Sequence, residues 1–204
     1  MPRITAATLA DHQANQRRAV LDAAKEVLTE VGGDAFSLSR VAARVGLARS
    51  SLYQYFDSRQ DLLDALVEDL FPHWSHLVTG AMARETSPAL RVLAYANANL
   101  RLVADGEHAV AGALAAASPG ADFAERSREM HERLAAPLTE ALKVLGVPDP
   151  LATAELVNAV VHKASRMIES GTAFEDASAR VEEILHPFLM DQEGRRGSRV
   201  RLPR

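Results

Sequence analysis

Apolar residues recur every three or four positions along most of the chain, which is the spacing of one face of an α-helix. The first such run covers residues 15–31 and is followed by Gly32-Gly33, a pair that favours the end of a helix. No segment shows the apolar-polar alternation of a half-buried strand. The pattern predicts an all-α fold. The apolar positions of the first helix are Val20, Ala23, Ala24, Val27, Leu28 and Val31.

Two short helices are predicted next. Ser37 is a favourable N-cap for a helix that ends at Gly46, because glycine accepts a left-handed backbone. A third helix over residues 48–56 places Leu52 and Phe56 on one face, since they are four residues apart. The opposite face is polar, aromatic and basic. Its outward side chains are Arg49, Ser50, Ser51, Tyr53, Gln54 and Tyr55.

The remaining pattern is a series of longer helices. Ser58 and Asp61 form a capping-box-like start for a fourth helix that continues through Trp74. Proline after serine or aspartate marks two later starts, at Ser87 and Asp149. These later helices are predicted over residues 87–103, 106–117, 121–145, 149–171 and 174–189.

Composition indicates two parts and a tail. The chain has 204 residues, 48% of them hydrophobic, which is enough for a substantial core. We predict a helical head over residues 12–58 and a helical body over residues 59–190. Residues 191–204 are polar, basic and glycine-containing, so we predict a disordered tail there.

Several functional classes lack their sequence signatures. There is no cysteine, so disulfides and thiolate metal sites are excluded, and a reducing compartment is favoured. Of the seven histidines, His73 and His76 lie three apart on one predicted helical face, but neither cysteine nor a carboxylate-histidine signature accompanies them, which argues against a metal site. The motifs G-x-S-x-G and H-E-x-x-H and phosphate-binding glycine loops are missing. No apolar run reaches the length of a membrane span. We therefore expect a soluble cytoplasmic protein without metal, cofactor or enzymatic activity.

Charge is unevenly distributed, although the net charge is only −4. Most of the acidity lies in the body, whereas residues 37–60 carry four arginines and one acid, Asp57. This short basic patch consists of Arg40, Arg44, Arg49 and Arg59. Two short helices joined at a glycine, the second with basic and aromatic side chains outward, are typical of a helix-turn-helix that enters a DNA major groove. The alternative is an exposed helix whose tyrosines shield a small core.

The stretch FSLSRVAARVGLARSSLYQYFDSRQDLLDAL, residues 36–66, resembles the DNA-binding signature of the TetR family of bacterial transcriptional regulators. The shared features are a capped helix, a glycine-hydrophobic turn, Leu-Tyr-x-Tyr-Phe, a serine-basic pair and a leucine pair. Two positions depart from the family pattern. Ala48 stands where the family usually has a serine-like N-cap, and Ser50 replaces the usual glycine or proline.

The resemblance implies specific DNA contacts. Phosphate contacts are implied for Ser37, Ser51, Tyr55 and Arg59. Base reading is implied near Arg49 and Ser50, with help from Ser39, while Tyr53 packs on the backbone or a base methyl and Gln54 faces outward beside it.

The last two predicted helices are candidates for a dimer interface, because the family pairs the corresponding helices between subunits. The same residues would also serve simply to cover the core of their own chain, and a single apolar stripe per helix does not separate the two interpretations. The candidate interface residues are Val157, Val160, Val161, Ala164, Ile168, Val181, Ile184, Leu185 and Phe188.

A small-molecule cavity is predicted among the middle helices, because apolar walls with a few polar groups are typical of ligand sites. Few aromatic residues follow His76, so we expect a mainly aliphatic cavity and a hydrophobic or amphipathic effector. Ordinary core packing is the alternative for these side chains. The candidates are Trp74, Met82, Tyr95, Asn99, His108, Phe123, Met130 and Met167.

Together these features predict a dimeric, ligand-responsive transcriptional repressor. It would bind palindromic operator DNA and release it when a small hydrophobic effector binds. The alternative is a helical small-molecule-binding protein or enzyme whose DNA contacts are vestigial.

Overall fold

The computed structural model describes the backbone of residues 6–117 and 121–200, and the side chains of residues 11–117, 124–129 and 131–196. Every regular element in these ranges is an α-helix, which confirms the all-α prediction. No described helix is both long and apolar enough to cross a membrane. The helices are α1 (Ala6–Ala35), α2 (Leu38–Val45), α3 (Arg49–Leu52), α4 (Arg59–Ala83), α5 (Pro88–Ala104), α6 (Glu107–Ala117), α7 (Ala121–Leu145), α8 (Pro150–Glu169) and α9 (Phe174–Val200).

The chain divides into two compact units. The first, here called the head, comprises Met1–Leu70 and Ala109–Ala124. The second, the body, comprises Phe71–His108 and Glu125–Arg204. The predicted boundary at residues 58 and 59 is therefore displaced, since the first part of α4 belongs to the head with its fully buried leucines. These leucines are Leu62, Leu63, Leu66 and Leu70.

Helix α1 begins earlier than predicted, at Ala6, and is broken where the sequence indicates. Gly32 has a φ of 73°, a left-handed conformation that glycine adopts without the strain of a Cβ atom. Next to it, a Cβ atom built on Gly33 would lie 2.6 Å from the Cα atom of Ala117. Glycine at position 33 thus permits backbone contact between the end of α1 and the end of α6, both within the head.

Ion pairs join α1 to α4 inside the head. Asp69 lies 2.6 Å from Arg18 and 2.7 Å from Lys25, measured between side-chain oxygen and nitrogen atoms. Partial burial tends to raise the pKa of Asp69, but the two cations outweigh it and the pKa is lowered overall. Because the folded-state pKa is depressed, this contribution to stability is present at neutral pH and lost as the pH falls through the acid range.

Side-chain caps set the helix starts that the sequence predicts. The hydroxyl oxygen of Ser37 accepts from the backbone N–H of Arg40 at 3.4 Å, and that of Ser58 accepts from the N–H of Asp61 at 3.0 Å. In the body, Asp149 accepts from the N–H of Ala152 at 3.0 Å. Each cap satisfies a backbone donor that the first helical turn leaves unpaired.

The body packs α5 against α8 and α9, and α8 against α9. Tyr95 of α5 donates a hydrogen bond of 2.8 Å to the amide oxygen of Asn158 on α8. The guanidinium of Arg101, also on α5, lies 3.8 Å from the ring centroid of Phe174 at the start of α9. A hydrogen bond to α8 and a cation-π contact with α9 therefore accompany the apolar packing of α5 against these two helices.

The predicted disorder of the tail is corrected over residues 191–200, which continue α9 as far as Val200. Glu193 accepts a hydrogen bond of 2.6 Å from the hydroxyl of Ser87, the residue that caps α5. The two residues are 106 positions apart in the sequence, so no local pattern indicates their contact. Residues 201–204 lie outside the described part of the chain.

The predicted interface helices contain two kinds of apolar residue. Five of the nine candidates are buried within their own chain: Val157, Val161, Ala164, Val181 and Leu185. Val160 and Ile168 are half-buried. Ile184 and Phe188 remain exposed, by 60% and 40%. These five residues are covered within their own chain, where α5, α8 and α9 pack against one another. Leu151 and Leu156, each 68% exposed, are further apolar side chains on α8 that the prediction missed.

Candidate nucleic-acid interface and ligand cavity

Helix α2 ends at Gly46, which begins the turn that leads into α3. Gly46 has a φ of 74°, and the N–H of Leu47 donates to the carbonyl of Ala42 at 2.9 Å, so the chain reverses sharply after α2. Helix α3 is shorter than the predicted 48–56. Ala48 provides no side-chain cap, and the turn after Leu52 closes tightly, with the N–H of Tyr55 donating to the carbonyl of Leu52 at 3.0 Å.

The predicted reading face is exposed on this short helix and turn. Leu52 and Phe56 are buried, so the segment is fixed to the head core. Arg49 donates to the hydroxyl of Tyr53 at 3.1 Å and lies 5.8 Å from its ring centroid, so Tyr53 holds the guanidinium along one side of the helix. Arg49, Ser50, Tyr53 and Gln54 are exposed, and Ser51 and Tyr55 are half-buried.

The two serines predicted on α2 differ in their surroundings. Ser37 is half-buried and uses its oxygen as the N-cap, which leaves its hydroxyl hydrogen able to donate to a phosphate. Ser39 is exposed on the first turn of α2. Both positions are compatible with the contacts that the family resemblance implies.

The basic patch is smaller than the sequence suggests, because Arg44 is paired within the head. Its guanidinium lies 2.9 Å from Glu26 and 2.5 Å from Glu30 on α1. The hydrogen bond from Arg44 lowers the pKa of Glu30, and the two carboxylates raise the pKa of Arg44. Arg40 remains exposed on α2, and the prediction omitted it as a contact residue although it adjoins Ser39.

Arg59 is engaged by the head itself. Its Nε donates to the carbonyl of Phe36 at 3.2 Å, and its Nη2 donates to the carbonyl of Gly33 at 2.8 Å. The carbonyl of Ala117 is 3.5 Å away, at the limit of a hydrogen bond. Arg59 therefore joins the end of α1, the start of α2 and the end of α6, and a role limited to phosphate binding does not account for these contacts.

Substitution of Arg59 separates these roles. We expect Arg59→Ala to lower the stability of the head by about 2 kcal/mol, because buried carbonyls lose a charged donor. Arg59→Lys keeps the charge but not the planar set of donors, so it should restore little of that stability. Urea unfolding followed by circular dichroism measures both. A lysine variant as stable as the wild type would assign Arg59 to phosphate binding alone.

The body contains a cavity of about 430 Å³, a volume within the range of ligand pockets. Four of the predicted ligand residues line it: Trp74, Tyr95, Asn99 and His108. Met82 and Met167 are not among the lining residues, and the side chains of Phe123 and Met130 lie outside the described part. The prediction missed the contribution of α7 and α8, namely His131, Leu134, Glu155, Asn158, His162 and Ser165.

The walls are more polar than the mainly aliphatic cavity that the sequence indicated. Trp74 stacks on His108, with ring centroids 5.9 Å apart and planes inclined by 15°. Nδ1 of His108 lies 2.6 Å from a carboxylate oxygen of Glu169 and donates to it. Burial raises the pKa of Tyr95 to about 12, so its hydroxyl keeps its proton and donates to Asn158. These polar groups come from helices far apart in the sequence.

A second hollow of about 580 Å³ lies beside α4, α5 and α9 of the body. Its walls include Leu77 and Leu90, which are 42% and 38% exposed. Only the smaller of these two cavities is lined by Trp74, whose buried indole N–H finds no hydrogen-bond partner in the described structure. Within the same described ranges, the histidines and carboxylates do not converge into a group that would hold a metal ion.

Residues 20–66 match the family model of bacterial regulatory proteins of the tetR family, and this segment contains α2, α3 and their supporting core. The similarity to the tetR family is thus located in the head. An uncharacterised HTH-type transcriptional regulator of Mycobacterium tuberculosis is similar to this chain, with 28% identity over 172 residues that make up 83% of each protein.

Two further comparisons describe the head and the whole fold separately. Tetracycline repressor protein class C of Escherichia coli is 42% identical over 53 residues, which are 26% of this chain and 24% of that protein. The crystal structure of FadR from Bacillus subtilis in complex with stearoyl-CoA covers 82% of this chain and 96% of its own, with a TM-score of 0.67 and 17% identity. At that identity the similarity to FadR shows a common fold.

Proposed function

We propose that this chain is a TetR-family regulator, a repressor that binds palindromic operator DNA as a homodimer and releases it when a small molecule enters the body cavity. The outward face of α3 carries the proposal. Arg49 is exposed on α3 and Tyr53 and Gln54 on the turn after it, while Leu52 and Phe56 fix this segment to the core. This is the arrangement that lets a short helix present donors to base edges.

We propose a homodimer because a single head contacts too few base pairs for tight binding. A short helix reads few base pairs, so two heads related by a two-fold axis are needed for an affinity of roughly 10⁻⁸ M at physiological salt. The exposed apolar residues of α8 and α9 are suited to pairing of the bodies, because burying them removes apolar area from water. They are Leu151, Leu156, Ile184 and Phe188.

The cavity supports ligand control. One relative is named as a tetracycline repressor, and the FadR structure contains stearoyl-CoA, so small-molecule binding occurs in proteins similar to this chain. If a ligand prefers the state with low DNA affinity, DNA must weaken ligand binding by the same factor, typically about 5- to 150-fold. The Mycobacterium tuberculosis relative is named as a transcriptional regulator and the Escherichia coli relative as a repressor, and we assign this chain no catalytic activity. Its work on operator DNA would take place in the bacterial cytoplasm.

Selection of bound duplexes from a random DNA pool tests the proposal. We expect an enriched palindrome whose half-sites lie about 34–36 Å apart. The logarithm of the binding constant should fall linearly with the logarithm of salt concentration, by about 0.9 per phosphate neutralised. A single half-site would contradict the homodimer. Failure to enrich any sequence, together with retained ligand binding, would favour a small-molecule-binding protein with vestigial DNA contacts.

A further inference from the structure

We infer that the 430 Å³ cavity selects a small amphipathic amine, positively charged and carrying a neutral acceptor oxygen, and discriminates against anions. The inference rests on the proposed function and names the ligand class of the same site. It follows from three features of the walls: the sign of their fixed charge, an unpaired donor, and stacked aromatic rings.

The fixed charge of the walls is negative. The described residues that line the cavity include Glu155 but neither lysine nor arginine. No other described residue forms a hydrogen bond or an ion pair with Glu155, so its carboxylate remains available to a ligand. A second carboxylate, Glu169, lies directly behind His108. An anion entering this cavity would lose hydration without gaining a fixed cation, whereas an ammonium group would gain the Glu155 carboxylate.

The unpaired donor specifies the neutral part of the ligand. Trp74 is only 6% exposed, and its indole N–H has no acceptor in the described structure. A buried donor without a partner is unfavourable, and an ether, carbonyl or hydroxyl oxygen on the ligand would satisfy it. The amide of Asn158 adds donors nearby, because its oxygen already accepts from Tyr95. The same ligand therefore needs an acceptor as well as an ammonium group.

The aromatic rings agree with a cation in this space. Trp74 provides the indole surface that attracts ammonium groups most strongly among aromatic side chains, and Tyr95 also lines the cavity. This differs from what the related fold of FadR accommodates. Stearoyl-CoA carries phosphates, and the described walls of this cavity offer no guanidinium or ammonium group to bind them. The similarity in fold to FadR therefore does not imply that this chain binds the same ligand.

Two probes with the same body and opposite charge test the inference. They are 3-(4-methoxyphenyl)propylamine and 3-(4-methoxyphenyl)propanoate, each titrated into the full chain at pH 8. We expect the amine to bind at least about tenfold more tightly, with dissociation constants in the millimolar range or below. Glu155→Gln should abolish this preference. Glu182→Gln, which alters a carboxylate of the other hollow, is the matched control and should leave it unchanged.

Trp74→Phe tests the acceptor. It keeps an aromatic ring but removes the N–H, so the methoxy amine should bind about fivefold more weakly. Binding of 3-phenylpropylamine, which lacks the ether oxygen, should not fall by that factor. Equal loss for both amines would show that the indole N–H does not receive the ether oxygen and would overturn that part of the inference.

Equal or tighter binding of the propanoate, an unchanged preference in Glu155→Gln, or binding of neither probe in the millimolar range would overturn the amine class. Operator binding measured on the same preparations separates this failure from failure of the proposed function. A protein that binds its operator but prefers the anion remains a ligand-responsive regulator of a different ligand class. A protein that binds no operator fails as a repressor whatever its ligand.

Discussion

Gly33→Ala is expected to destabilise the head by about 3 kcal/mol. The new Cβ atom would lie 2.6 Å from the Cα atom and 2.8 Å from the backbone nitrogen of Ala117. Backbone atoms cannot rotate away as a flexible side chain can, so α6 or the end of α1 must shift. That shift would also disturb the hydrogen bond between Arg59 and the carbonyl of Gly33.

Gly112→Ala is the matched control, because Gly112 lies on the same helix α6 with no atom within 4 Å of a built Cβ. Alanine in a helix interior is more favourable than glycine, so this variant should be more stable by about 0.5–1 kcal/mol. The midpoint of urea unfolding, followed by circular dichroism, measures both variants. If Gly33→Ala unfolds at the same urea concentration as Gly112→Ala, the close approach of α1 and α6 is wrong.

Arg49→Ala is expected to relax the sequence preference of operator binding at one position in each half-site. An arginine at the start of a helix in the major groove can donate two hydrogen bonds to O6 and N7 of guanine. This contact favours guanine over other bases by about 1–3 kcal/mol per half-site. With two half-sites per dimer, we expect operator affinity to fall by at least about 30-fold, while binding to unrelated DNA changes little. Tyr53 strengthens this expectation, because it already orients the guanidinium of Arg49.

Arg44→Ala provides the comparison for Arg49. It removes the same charge from the same short segment, but Arg44 is paired with Glu26 and Glu30. Its loss should leave the selected base preferences unchanged. Selection of bound sequences with both variants measures the outcome. If Arg49→Ala selects the same bases as the wild type, Arg49 contacts phosphate or solvent and the reading residues lie elsewhere, with exposed Arg40 the first to examine.

Local sequence determined the helices and much of the candidate DNA-binding surface. Ser37, Ser58 and Asp149 cap the helices that their positions predict, because a cap involves atoms only three residues apart. The burial of Leu52 and Phe56, and the exposure of their polar neighbours, follow from helical spacing in the same way. These interactions need no distant partner, so the sequence pattern contains them.

Only the tertiary structure decided which charged and apolar side chains are free to act. In the sequence Arg44 belongs to the basic patch and Arg59 is a predicted phosphate contact. In the structure, carboxylates bind Arg44 and backbone carbonyls bind Arg59, all from other parts of the head. The face of α8 that carries Val157 and Val161 is apolar in either interpretation, and packing within the chain assigns it to the core.

The cavity shows the same limit most clearly. Trp74, Tyr95 and His108 were predictable as aromatic or polar groups on the middle helices, but Glu155 and His162 of α8 were not. A periodic pattern reports which face of a helix is apolar, not which polar side chains from other helices meet there. The sequence by itself thus determined an all-helical chain with a TetR-type reading segment. The approach of helices distant in sequence decided the chemistry of the body cavity, because charge and hydrogen-bonding partners depend on distances that no local spacing encodes.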